Sequence, residues 1–131
     1  MGKLILHEFS PVIYPRKIWV IKGRGLYIEQ KIQDTFRSQH NDSLLLDGWK
    51  TARAAVWPVM ETSDRAALGV LVWLIDRIDV PVIAHESVHA ANAIFKDCGI
   101  LYDADNDEHY AHLVGFIADC IWQTWTGKFK D

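Results

Sequence analysis

The sequence is poor in cysteine, in net positive charge and in long apolar runs, and each shortage narrows what the chain can be. Its two cysteines, Cys98 and Cys120, show no CxxC spacing. That excludes a disulfide framework and a cysteine zinc cluster and leaves buried free thiols as the expectation. The longest apolar run, Ala66 to Ile75, is ten residues, well short of the roughly 20 that a membrane-spanning helix needs, so no membrane partner is expected. Lys3-Leu4-Ile5-Leu6 runs at once into His7 and Glu8, which is not a secretory signal, and a cytoplasmic location follows as the expectation. The formal charge is −3. Residues 1–50 hold eight Lys/Arg against five Asp/Glu, and residues 51–131 six against twelve. Arg16, Lys17, Lys22 and Arg24 interleave with Tyr14 and Trp19, but four charges on a short strand read as a solvated face, so no nucleic-acid partner is expected.

What the chain does have is core material. Half of its 131 residues are hydrophobic, 24% are charged, and six are tryptophan, which fits one domain over 1–131. Neither an internal repeat nor a low-complexity segment interrupts it. Residues 3–7 and 18–22 are short runs rich in Ile, Val and Trp, bounded by proline or glycine, as strands are. Leu26, Ile28, Ile32 and Phe36 fit a helix over 26–37, followed by a polar loop at 38–43. Residues 51–60 and 69–75 read as an antiparallel strand pair across the turn-like 61–65 segment. Pro58 cannot donate to a sheet ladder, which places its strand at an edge and leaves one side free for a ligand's backbone. Asp79 with Pro81 at the start and Gly99 at the end frame a helix over 80–97. Asp105 and Glu108 have capping-box spacing for a last helix carrying Leu113, Val114, Ile117, Ile121 and Trp125. Both late helices are expected on one face of the sheet, giving an α+β fold with a small mixed or antiparallel sheet.

The chemistry lies in the first of those helices. His85-Glu86-Ser87-Val88-His89 is an HExxH sequence, whose histidines at i and i+4 project from one face and can share one metal ion. Random ordering of six His and five Glu would produce it in roughly one per cent of such chains, so coincidence is disfavoured. Zinc suits the ligand type: a catalytic site uses three protein ligands and keeps the fourth position for water. Glu86 beside the ligands is then the general base.

A third ligand is required. The metzincin spacing fails, because its glycine and third histidine would fall on Asn92 and Phe95. Glu108 follows His89 by 19 residues, beyond the reversal at Gly99, and is the choice, with His109 and His112 in reserve. Glu108, His112, Gly115 and Asp119 form a polar or tiny stripe expected to face the metal. Gly115 would let the helices close up, and His112 or Asp119 would bond the free nitrogen of a ligating histidine. Tyr102 and Tyr110 are candidates for stabilising an oxyanion. The Asp103–Asp107 acids are not an EF-hand, since its sixth-position glycine would be Glu108 and its twelfth-position glutamate Val114.

The HExxH run followed by Glu108 resembles the zincin metallopeptidases, and a glutamate ligand on a second helix resembles their gluzincin branch, over roughly residues 79–125. The segments at 85–95 and 107–121 are also similar to short zincin-like proteins of phages and prophages. The resemblance implies a minimal zincin-like fold. In it a twisted sheet has an exposed edge strand above a Zn2+ site, an active-site helix and a C-terminal ligand helix, and zinc-bound water hydrolyses a peptide bond. Where gluzincins often carry aspartate four residues after the ligand glutamate, this chain has His112. The expected activity is that of a zinc metallopeptidase or amidase acting on a peptide or protein through an open, shallow site. The alternative is a non-catalytic, zinc-stabilised protein-binding module.

Overall fold

A computed structural model describes residues 5–130. Lys3 and Leu4 of the first expected strand lie outside the described residues. The elements are β1 (Ile5–Phe9), β2 (Lys17–Lys22), α1 (Leu26–Thr35), β3 (Phe36–Arg37), a 3-10 turn (Trp49–Thr51), β4 (Ala54–Glu61), β5 (Leu68–Leu74), α2 (Val80–Asp97) and α3 (Glu108–Thr126). The strands form one mixed sheet in the order β1-β2-β5-β4-β3. β2 and β5 run parallel at its centre, and the other neighbours are antiparallel.

β2 and β5 are almost wholly buried, because both faces of the sheet are covered. Their alternate residues therefore feed two cores. Ile18, Val20, Val70 and Val72 pack with Ala90, Ala91 and Ile94 of α2 and with Leu113, Ile117 and Ile121 of α3. Trp19, Ile21, Leu71 and Trp73 face the other way, onto Ile28 and Ile32 of α1, Leu44, Leu46 and Trp49. The late helices thus share one face, as expected, while α1 and the segment after it close the opposite one. Gly69 permits the central parallel pairing, since a Cβ there would meet the carbonyl oxygen of Lys17 at 2.0 Å.

Local chemistry sets the ends of α2. Asp79 Oδ1 accepts from the Val82 amide at 3.1 Å, and the helix closes when Ile100 N–H donates to Phe95 at 2.8 Å, with Gly99 at φ +71°. Three expectations are corrected. The first helix stops at Thr35, because Phe36 and Arg37 pair with Glu61 and Met60. Residues 49–51 form a 3-10 turn, so the strand begins at Ala54. The Asp105–Glu108 capping box does not form: Asp107 is the N-cap and Glu108 the first helical residue. The aspartates upstream are spent on a local turn, in which Asp103 Oδ1 accepts from the Asp105 amide at 2.9 Å. Among the described residues, no helix is long and apolar enough to cross a membrane.

Candidate metal centre

α2 turns Ala90, Ala91 and Ile94 to the sheet, so helical geometry puts His85 and His89 on the side facing the edge of β4. Their Nε2 atoms stand 3.1 Å apart, with the rings edge to face. Two nitrogens at about 2.0–2.1 Å from a tetrahedral zinc stand roughly 3.3 Å from each other, so the pair is spaced as two ligands of one ion. A hydrogen bond between two neutral rings has a similar length. Among the described residues, no third His, Cys, Asp or Glu joins them to make a group able to hold a metal.

Glu86 lies beside the pair and is only 8% exposed, yet its carboxyl lines the same cleft as His85. Burial raises its pKa above the ordinary glutamate value, and the neighbouring His85 and His89 pull it part of the way back.

The cleft floor is the outer edge of β4, with Ala54, Ala55, Val56 and Pro58 facing His85, Glu86 and His89. β3 covers only Met60 and Glu61 of that strand, so its edge is open from Ala54 to Val59. The register fixes which backbone groups point outward. Ile75 N–H donates to Arg53, and Glu61 N–H to Ala67, on the β5 side. The even-numbered residues therefore present their groups to the open edge: N–H at Ala54 and Val56, C=O at Ala54, Val56 and Pro58. Pro58 sits where its missing N–H disturbs no ladder, as the sequence implied.

The other expected site residues lie elsewhere. Glu108 Oε1 lies 3.1 Å from His112 Nε2 on the solvent side of α3, with the two side chains 75% and 78% exposed. A Cβ on Gly115 would meet nothing within 4 Å, so Gly115 mediates no helix contact. Asp119 bonds Gln123 at 3.0 Å and Lys130 at 2.8 Å. The stripe points outward for a geometric reason. Leu113, Ile117, Cys120, Ile121 and Thr124 are the buried face of α3, and positions 108, 112, 115 and 119 lie about half a turn around the helix from them. His109 lines a separate cleft with Tyr14, Phe95, Tyr102 and Tyr110. Tyr110 donates to Asn92 Oδ1 at 2.8 Å and meets Phe95 and Tyr102 edge to face, and neither tyrosine lines the histidine cleft. Of the expected residues, the structure brings together His85, Glu86 and His89.

Two contributors were not singled out from the sequence. The alanines at 54 and 55 keep the cleft floor low, and the segment read as a plain loop over 38–43 forms, with Leu44 and Leu45, a wall of the groove that continues past His89. The adjoining Leu44-Leu45-Leu46 run was the available signal. The basic residues disperse into separate contacts: Arg16 with Asp97, Lys17 with Ser10, Lys22 with the Trp125 carbonyl and Arg24 with the Lys50 carbonyl. Compared with protein-family models, with curated proteins and with solved structures, the chain matches none.

Proposed function

We infer that the protein is a zinc-dependent hydrolase of peptide or amide bonds, with His85 and His89 as metal ligands and Glu86 as general base, in the manner of the zincins it resembles. The observation that carries this reading is the convergence of two imidazole Nε2 atoms at ligand spacing beside a buried carboxyl, directly over an open strand edge. Zinc suits the two imidazole nitrogens, which supply two of the three protein ligands usual in a catalytic site; no third joins them among the described residues. When bound it supplies Lewis acidity, drawing the pKa of a coordinated water toward neutrality.

The chain's own groups do the rest. An extended substrate adds to the edge of β4, accepting from the Ala54 and Val56 amides and donating to the carbonyls beside them. This holds one peptide unit over the histidines. Glu86 takes a proton from the attacking water and delivers it to the departing nitrogen. Partial exclusion of solvent around its carboxyl raises its proton affinity, which favours the first of these transfers, the removal of the water's proton.

The test is a pair of variants assayed against a mixed peptide pool. Glu86→Gln is expected to retain zinc and to lose turnover by about a hundredfold or more, and His85→Ala to lose zinc. Undiminished turnover in the glutamine variant removes the mechanism.

The missing third donor favours one other reading, a non-catalytic module in which zinc stabilises a peptide-binding edge. Under it, Glu86→Gln leaves partner binding intact and the wild-type protein cleaves none of the pool.

A further inference from the structure

The cleft over the histidines does not end at His89. It opens into a larger groove of about 930 Å3, against about 420 Å3 over the histidine pair, whose surface is mostly apolar in area although Gln39, Asp42, Asn92, Lys96 and Asp97 also line it. Its floor is Trp57 and Pro58, one wall is His89 and Ala93 of α2, and the other is Leu44 and Leu45. Leu45 stands on the rim at 81% exposure.

The second wall is built rather than slack. Arg37 holds the Asn41 carbonyl through two donors at 3.1 and 3.0 Å. Gln33 holds the Leu44 carbonyl at 3.0 Å, and Gln39 reaches across to Asp97 at the end of α2 at 3.2 Å.

Pro58 decides what this groove takes. A strand lying on β4 finds amide donors at Ala54 and Val56 but none at Pro58. Backbone pairing therefore weakens where the groove widens, and what remains to be satisfied there is apolar surface. Direction follows as well. β4 and α2 advance in the same sense, from Arg53 beside Val82 and His85 to Pro58 beside His89 and Ala93. Antiparallel pairing is the more stable ladder, so a substrate running against β4 enters from the groove and leaves past Arg53. The groove then receives a residue on the N-terminal side of the bond over the metal.

Resting on the hydrolase reading above and deepening it, we propose that the protein selects extended peptides carrying a large apolar side chain, leucine or phenylalanine in kind, on the N-terminal side of the cleaved bond, seated between Leu45 and Ala93 over Trp57. Seating such a side chain in place of alanine is worth roughly tenfold or more in affinity.

The test uses the full chain, zinc-loaded, as the Glu86→Gln variant, titrated by fluorescence anisotropy with labelled extended peptides identical except for Leu, Phe, Ala or Asp at one position. In parallel, the wild type is given the same peptides and its products are mapped by mass spectrometry. The expected result is tighter binding of the Leu and Phe peptides by roughly tenfold over Ala, when the varied position is in the N-terminal half. Adding Leu45→Asp should bring that ratio close to one, with an unchanged far-UV spectrum. Equal affinities, absence of binding, or a preference that survives Leu45→Asp overturns the subsite. If the wild type cleaves but without this preference, the hydrolase stands and the subsite falls. If the preference appears in binding while the wild type cleaves nothing, the subsite stands and the hydrolase falls.

Discussion

Among individual residues, the contrast between Glu86 and Glu108 matters most. Both are glutamates near the start of a helix turn, yet one is buried beside two imidazoles and the other is paired with His112 in solvent. On the proposed reading zinc would be held by His85 and His89 without Glu108, so Glu108→Gln is expected to leave the bound zinc per chain unchanged, as read by metal analysis after desalting. Loss of zinc in that variant would mean that the first turn of α3 swings round to the histidines. The HExxH residues were legible in the sequence because a four-residue interval on a helix is fixed by the helix itself. Glu108 was not legible in the same way, since its neighbours in space depend on which face of α3 is buried. That face was in fact written in Leu113, Ile117 and Ile121. A polar stripe opposite such a series is a solvent face before it is a metal face.

For single elements, the ends of α2 and the β4–β5 pair follow from local chemistry: an N-cap aspartate, a left-handed glycine, a proline that only an edge tolerates. The parallel β2–β5 pairing does not, because nothing local in either strand states which distant strand it meets; the pairing rests on Gly69 admitting the Lys17 carbonyl. The sheet's far side is held by Glu8 of β1. It accepts from Trp19 of β2 at 2.9 Å and from Arg65, in the β4–β5 turn, at 2.6 Å. The Arg65 guanidinium, ahead of the Trp19 indole, holds the Glu8 carboxyl below the ordinary glutamate range, against the opposing effect of burial. A depressed carboxylate stabilises the fold above the unfolded-state pKa, and that contribution is lost as pH falls through the folded-state value. Glu8→Gln is therefore expected to lower Tm at neutral pH, with the gap from wild type narrowing as the pH is taken below about 4. A gap of constant size across that range would show that Glu8 acts through packing alone.

In the molecule as a whole, two layers of helix around a mixed sheet leave the edge of β4 unpaired from Ala54 to Val59, and the topology sets the HExxH helix beside it. The α+β class and the placement of both late helices on one face were legible from periodicity and composition. The covering of the opposite face was not, because Leu44, Leu46 and Trp49 belong to a segment without regular period. That same segment walls the groove, so the feature that sets substrate choice in this account is the one least visible in the sequence. On the proposed reading the two imidazoles share one zinc ion whose shell is not filled by protein. X-ray absorption at the zinc edge, on protein loaded with one equivalent of metal, tests it most directly. The expected result is two imidazole nitrogens at about 2.0–2.1 Å, with water oxygens completing the shell, and loss of the imidazole signature in His89→Ala. A shell closed by four protein donors, or no imidazole scattering from zinc in the wild type, would contradict it.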